Sequence, residues 1–326
     1  MTESTGVPVH FELLAQDGNA RRGRLHSAGC VVETPAFMPV GTQATVKALS
    51  PEEILGTGAQ MVIMNTYHLW LRPGPEVVAA HGGLHRFAKW PGAIATDSGG
   101  FQAFSLAERV KVTEDGFAFS SHLDGSRRVL TPEESMRVQG ELGSDVAMQL
   151  DICPPGGASR EEWVAAVQRT TRWAERCLRA RRRGQALFGI VQGGTDAELR
   201  LEHLAALSSL GLDGMALGGF SVGEPTAAMY EALRVVGPRM PPGLIHYLMG
   251  VGTPEDLIFA IGQGIDLFDC VMPTRNARNG QAFTREGKVI IKQARYRDDL
   301  QPLEAGCGCQ TCRTGYRDRK STRLNS

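Results

Sequence analysis

The sequence predicts an α/β chain whose parallel strands close into a barrel. Three observations carry that expectation: eight short apolar runs, a helical segment or long crossover after each, and legible helix starts between them. The runs are AFMPV (36 to 40), QMVIM (60 to 64), GAIAT (92 to 96), DVAMQL (145 to 150), ALFGIV (186 to 191), DGMALG (213 to 218), IHYLMG (245 to 250) and DLFDC (266 to 270). Helix starts are Ser50-Pro51 with Glu53, Thr131-Pro132 with Glu134, Ser159 with Glu162, Thr195 with Glu198, and Thr253-Pro254 with Asp256. Each offers a side-chain cap to the free N–H groups of a first turn, and proline sits where its missing N–H costs nothing. From Ser159 to about Arg183, Trp163, Val167, Thr170, Ala174 and Cys177 share one stripe, which should pack on the sheet. Eight buried strands with crossovers fit the closed (β/α)8 TIM barrel better than an open doubly wound sheet. Stretches 108 to 130, with turns at Asp115-Gly116 and Asp124-Gly125, and 282 to 293, around Glu286-Gly287, read as β-hairpin insertions.

Composition narrows the function. With 326 residues, 42% of them hydrophobic, the chain can bury one large core or two ordinary ones, which excludes disorder. The 35 Lys+Arg balance 35 Asp+Glu, so bulk attraction for phosphate is excluded and any nucleic acid must be held by local contacts. Glycine, at 39 residues, is in excess and predicts backbone approaching a ligand closely. No apolar run approaches the roughly 18 residues of a membrane span. The N-terminal MTESTGVPVHFELL lacks the pattern of a secretory signal, so a cytoplasmic protein is expected. Cys30, Cys153, Cys177 and Cys270 are scattered, whereas Cys307, Cys309 and Cys312 cluster, which in such a chain suggests a metal before a disulfide.

A barrel of this kind builds its active site at the C-terminal strand ends. There stand Gly41-Thr42, Asn65-Thr66-Tyr67-His68, Asp97-Ser98-Gly99-Gly100-Phe101-Gln102, Asp151-Ile152-Cys153, Gln192-Gly193-Gly194, Gly219-Phe220, Val251-Gly252 and Asp269. A lone Asp at a strand end is usually a helix cap. Three on one rim, beside glycine-bared backbone, point to chemistry. Paired carboxylates can run a double displacement at a sugar carbon, one as nucleophile and one as acid and base. A third could instead grip adjacent N–H donors such as a guanine edge, with Gln192 and the backbone beside Gly219 serving a carbonyl oxygen. Spacing alone does not choose a base over a sugar.

Six segments then carry a family resemblance: DSGGFQ (97 to 102), NTYHLWLRPG (65 to 74), SHLDGSRRVLTPEESM (121 to 136), FGIVQGG (188 to 194), HYLMGVGTPEDL (246 to 257) and DLFDCVMPTRNARNGQAF (266 to 283). With the closing Cys-x-Cys-x-x-Cys they resemble the tRNA-guanine transglycosylases, or queuine tRNA-ribosyltransferases, from about residue 10 to 316. The resemblance implies a barrel enzyme that exchanges guanine at the wobble position of GUN-anticodon tRNAs for a 7-deazaguanine through a covalent enzyme–RNA intermediate. It implies Asp269 as nucleophile, Asp97 as general acid/base, and Asp151 as reader of the N1 and N2 edge of the base. Gln192 and the backbone of Gly219 match groups at the base carbonyl, and Phe101 and Met249 match side chains that sandwich the ring. Ser98, Gly99, Gly100 and Phe220 complete the implied base site. Val222 and Cys153 resemble the bacterial form, whose incoming base is 7-aminomethyl-7-deazaguanine (preQ1). No P-loop or dinucleotide fingerprint is present, in line with a reaction that needs neither.

For the RNA, the resemblance implies that Thr274, Arg275, Asn276, Ala277 and Arg278 read the anticodon, a task that suits the planar arginine fork. Gly250, Val251, Gly252, Thr253, Pro254, Glu255 and Asp256 form a glycine-rich turn and helix start, read as a phosphate cradle. Arg179, Arg181, Arg182 and Arg183 fit a helix C-terminus and are read as structural, as are His68, His81, His85 and His246.

Cys307, Cys309 and Cys312 are spaced for a structural tetrahedral Zn2+. The family's fourth ligand, a histidine, is absent, because the last histidine is His246 and 14 residues follow Cys312. The expectation is a barrel domain over 1–300 and a truncated zinc-binding subdomain over 301–326, with residues from about 318 foreign. In the family this subdomain supports a homodimer. Three other readings are weighed: a non-catalytic tRNA-binding subunit, opposed by Asp97 and Asp269; a retaining glycoside hydrolase, opposed by 6% aromatic content; and an archaeal-type enzyme acting on the tRNA D-arm, opposed by the lack of extra C-terminal RNA-binding domains.

Overall fold

A computed structural model of the chain describes residues 9–27, 29–106 and 108–314; the segment from about 318 read as foreign lies outside them. Nine segments form one parallel sheet whose two ends, Ala36–Met38 and Val40–Gly41, are halves of a single strand. Leu267–Asp269 pairs with the first half and Met61–Met64 with the second, so the sheet closes into the expected eight-stranded barrel. The strand splits at Pro39, which has no N–H to give, although its carbonyl still accepts from Ile63 N–H at 3.1 Å. Between them lie Ala93–Thr96, Val146–Met148, Ala186–Val191, Gly214–Leu217 and Ile245–Leu248. The fourth strand is shorter than the run 145 to 150 because helix side chains take over its hydrogen bonds. Leu150 N–H goes to Cys177 Sγ at 3.3 Å and Ile152 N–H to Thr170 Oγ1 at 3.1 Å.

Side chains alternate along each strand. Met61, Ile63, Ala95, Phe188, Ile190 and Tyr247 fill the barrel, whereas Val62, Ile94, Leu187, Leu217 and Leu248 pack against the helices. A Cβ on Gly214 would lie 2.5 Å from the Phe188 ring, so a glycine on one strand makes room for the large residue on the next.

The helices start largely where the caps predict. Ser50 and Ser159 form full capping boxes, and the Thr131 hydroxyl accepts from Glu134 N–H at 3.0 Å. One start is corrected: the cap before Ala197–Ser208 is Asp196, not Thr195, and its carboxylate takes Leu199 N–H at 3.1 Å. In the long helix Arg160–Ala180, Trp163, Val167, Thr170, Ala174 and Cys177 are buried, as the stripe requires.

One element is absent from the sequence reading. Val9–Asp17, Ala20–Ser27 and Cys30–Thr34 form an antiparallel sheet whose Phe11, Leu25 and Val32 join the barrel's inner core. Arg21 pins it to the N-terminal strand ends, pairing with Asp266 at 3.3 Å and donating to the Leu244 carbonyl at 2.8 Å. His246 contacts Arg21 in this network, and His85 pairs with Asp145 at 3.1 Å, so both are structural as expected. The insertion at 108 to 130 is an antiparallel sheet of Glu108–Val112, Phe117–Ser120 and Arg127–Leu130. Arg169 and Arg172 of the long helix grip its turn residue Glu114, and Trp173 Nε1–H donates to the Glu114 carbonyl at 2.8 Å.

Two compact units result. The chain up to Val251, together with Glu255–Cys270, makes the barrel unit; Gly252–Pro254 with the chain from Val271 onward makes the second. The second contains the helix Met272–Arg278, the expected hairpin Gln281–Thr284 with Gly287–Ile290, and a small core of Val289, Ile291 and Tyr296. Among the described residues no helix is long and apolar enough to cross a membrane.

Candidate active site

Strand alternation delivers the site. Two residues beyond the inward-facing Ile63, Ala95, Ile190, Tyr247 and Leu267 come Asn65, Asp97, Gln192, Met249 and Asp269, at the end of the barrel where its strands finish.

Asp97 is held from several sides. Its Oδ2 accepts from Asn65 Nδ2 at 2.6 Å, and its Oδ1 accepts from the backbone N–H of Thr66 at 2.9 Å and of Gly99 at 3.1 Å. Gly99 has φ +80°, which turns its N–H back onto the carboxylate; a Cβ there would lie 3.3 Å from Tyr67 N. Burial pushes the Asp97 carboxyl up to about 7, and the charges of Asp269 and Asp151 add to the rise against the two backbone donors.

Asp151 lies deeper. Its Oδ2 accepts from Gln192 Nε2 at 2.7 Å, and the Ser98 hydroxyl reaches Oδ1 at 3.4 Å. Burial lifts it to about 6. Gly100 N–H donates to Ser98 Oγ at 3.2 Å, which orients that hydroxyl. Asp269 accepts twice on Oδ1, from Tyr247 Oη at 2.5 Å and Gly250 N–H at 2.9 Å, and burial raises its pKa also. Burial and the Asp269 charge push the Tyr247 phenol far above its ordinary value, which keeps it a neutral donor.

The other expected residues fall as follows. Phe101 opens the helix Gly100–Leu106 and is 49% exposed, and Met249 is half-buried against the barrel's inner core. Gly219 has φ +69°, a conformation that favours glycine, and a Cβ there would lie 2.3 Å from Gln192 Oε1 and 3.2 Å from the Trp163 ring. The Phe220 ring is buried in the barrel-to-helix layer, so residue 220 offers the mouth only backbone. Gly250 is committed to Asp269, and Asp256 accepts from Tyr230 Oη at 2.8 Å. Thr274 to Arg278 lie in the second unit's helix, with Arg275, Ala277 and Arg278 exposed. Of the arginine run, Arg181 pairs with Asp213 at 2.7 Å and Arg182 donates to the Gly140 carbonyl at 2.8 Å, both structural uses.

Sequence reasoning assigned no role to Tyr247 or to Asn65 and Thr66. The signal for Tyr247 is its inward position between Ile245 and Met249, since a phenol inside a barrel needs a polar partner. His203 was also missed: its Nδ1 accepts from Gln192 N–H at 2.9 Å, and burial lowers the ring to about 4, keeping it neutral.

A family model described as queuine tRNA-ribosyltransferase matches residues 16–323. The chain belongs to that family. A queuine tRNA-ribosyltransferase of Sorangium cellulosum (strain So ce56) is 62% identical over 306 residues, 94% of this chain and 78% of the relative. One from Aromatoleum aromaticum is 55% identical over 308 residues, covering 94% and 83%. Another, from Pelotomaculum thermopropionicum, is 54% identical over 310 residues, covering 94% and 84%. Family membership also gives a frame for the second unit's cysteines. The sulfur atoms of Cys307, Cys309 and Cys312 all lie within 4.8 Å of one another, three donors for one metal ion.

Proposed function

We propose that this chain is a tRNA-guanine transglycosylase of queuosine biosynthesis. It exchanges guanine at the wobble position of GUN-anticodon tRNAs for preQ1 by double displacement through a covalent enzyme–RNA intermediate. The observation that carries this reading is the rim itself: three carboxylates in three different hydrogen-bonding settings, suited to three different tasks. Both hydrogen bonds described on Asp269 fall on Oδ1, so Oδ2 attacks the ribose C1′. As the C1′–O bond forms and the glycosidic bond breaks, the departing guanine takes the proton held by Asp97. The incoming base then returns a proton to Asp97 and attacks C1′, freeing the Asp269 carboxylate. Asp151 accepts from the N1 and N2 donors of the base, Gln192 and the Gly219 backbone serve its carbonyl oxygen, and Phe101 and Met249 cover its faces, with Ser98, Gly99 and Gly100 shaping the floor.

Thr274 to Arg278 read the anticodon, and Gly250 to Asp256 sit beside the RNA backbone. The chain from about 301 begins a zinc-binding subdomain in which Cys307, Cys309 and Cys312 would hold a structural Zn2+; a soft three-thiolate set suits that ion. The enzyme works in the cytoplasm as a homodimer. Presence of both Asp97 and Asp269 favours this over a non-catalytic subunit.

The direct test is incorporation of radiolabelled guanine into unmodified GUN-anticodon tRNA. Label at the wobble position is expected; label confined to the D-arm would replace this reading by the archaeal-type one. Cys309→Ser is expected to lower zinc content measured by atomic absorption, and equal zinc in both proteins would remove Cys309 as a ligand.

Asp151→Asn separates stability from function. The carboxyl is lifted from the ordinary value near 4 to about 6, so the native state binds protons that the unfolded chain releases between those values. The contribution of this carboxyl to stability is therefore fullest below about pH 4 and declines as pH rises through about 6. The amide removes that penalty, up to about 3 kcal/mol. Its amide oxygen can still accept from Gln192 Nε2, as Asp151 Oδ2 does. The variant is expected to melt higher than the parent at pH 8, to match it at pH 4, and to lose guanine exchange because an acceptor has become a donor.

A further inference from the structure

We propose that Arg200 is a positioning residue that fixes how the site reads the base carbonyl. Arg200 is fully buried in the helix Ala197–Ser208, and no ion pair among the described residues includes it. Its guanidinium instead donates to three backbone carbonyls: Nε–H to Gly194 at 2.6 Å, NH1 to Val191 at 3.2 Å and NH2 to Gly218 at 2.8 Å. The guanidinium carbon lies over the Phe220 ring, 3.6 Å from its centroid.

Those contacts bracket the carbonyl-reading pair. Val191 and Gly194 flank Gln192 in the chain, and Gly218 and Phe220 flank Gly219. Two adjacent strands end here, joined by Gly218 N–H to the Val191 carbonyl at 3.0 Å. Beyond that bond the ladder stops, and the planar fork of Arg200 takes over its work across both loops. The glycines are shaped for it: Gly193 has φ +144°, and a Cβ there would lie 2.8 Å from Arg200 Cγ. A lysine keeps the charge but presents no planar fork, so it cannot reproduce all three bonds or the guanidinium's contact over Phe220.

This inference rests on the proposed reading of Gln192 and Gly219, and the test separates the two. Discrimination is the ratio of the inhibition constant of 6-thioguanine, which keeps the N1 and N2 donors but carries sulfur, a weak acceptor, in place of the carbonyl oxygen, to the KM of guanine in the exchange assay on full-length protein. Arg200→Lys is expected to lower that ratio about tenfold or more by raising the guanine KM, with the 6-thioguanine constant little changed. A merely structural role would weaken both bases together and leave the ratio intact, which would overturn the proposal. Gln192→Ala is the reference. If it leaves the ratio unchanged, the carbonyl reading itself fails and the inference falls with it. If it lowers the ratio and Arg200→Lys does not, only the inference fails. Should Arg200→Lys not fold, Phe220→Leu removes the ring face and keeps the backbone of residue 220. It is expected to lower the ratio about threefold, and an unchanged ratio overturns the proposal equally.

Discussion

Asp269→Asn is expected to abolish the covalent enzyme–RNA adduct and to lower base exchange by about 10⁴-fold or more. The amide oxygen can still accept from Tyr247 Oη and Gly250 N–H, the two donors that now fall on Oδ1, so the loss is chemical rather than structural. What disappears is the second carboxylate oxygen and its electron pair, without which no ester to C1′ forms. Folding should not suffer, because burial already disfavours a charge at this position. The measurement is a denaturing gel of protein incubated with unmodified tRNA, with the melting temperature recorded beside it. An adduct at the parental yield would take Asp269 out of the nucleophile role.

Asp97→Asn is the second large effect, with exchange expected to fall about 10²- to 10⁴-fold while tRNA binding is retained. With its carboxyl at about 7, Asp97 is divided between acid and base forms near neutrality, which is what one residue serving both half-reactions requires. The signs differ between the halves. Adduct formation needs the proton, so in single turnover it should slow as pH rises through about 7. Arrival of the second base needs the carboxylate, so that step should slow as pH falls through the same region. Profiles flat from mildly acid to mildly alkaline pH would sink the assignment. Esterification of Asp269 also removes one of the two neighbouring charges that help hold the Asp97 proton, which eases the change from acid to base.

Much of this arrangement was legible because it depends on local rules. Apolar runs marked the barrel strands, Ser50, Thr131 and Ser159 marked helix starts, and Asp97, Asp151 and Asp269 stood out as carboxylates at strand ends. Local rules also explain the slip at Thr195, where two adjacent residues can both cap and only tertiary geometry selects Asp196. The N-terminal sheet was hidden because its inner face shows only Val9, Phe11, Leu25 and Val32, interleaved with charged residues such as Arg22 and Arg24. Tyr247 and Arg200 were hidden for a different reason. Each looks like an ordinary member of its strand or helix, and its partner, Asp269 or the Val191 and Gly218 carbonyls, comes near only when the barrel closes.

The split strand at Pro39 and the inward alternation of its neighbours bear on how such a chain tolerates lengthening. A residue added within Ala93–Thr96 or Leu267–Asp269 would rotate everything beyond it by half a pleat, carrying Asp97 or Asp269 from the barrel's interior to its helix-facing side. A residue added in the loops after those strands leaves the parity untouched. The strands therefore behave as a reading frame for the chemistry. The extra sheet at 108 to 130 enters only after Asp97 has been placed, where chain length can vary without inverting the site.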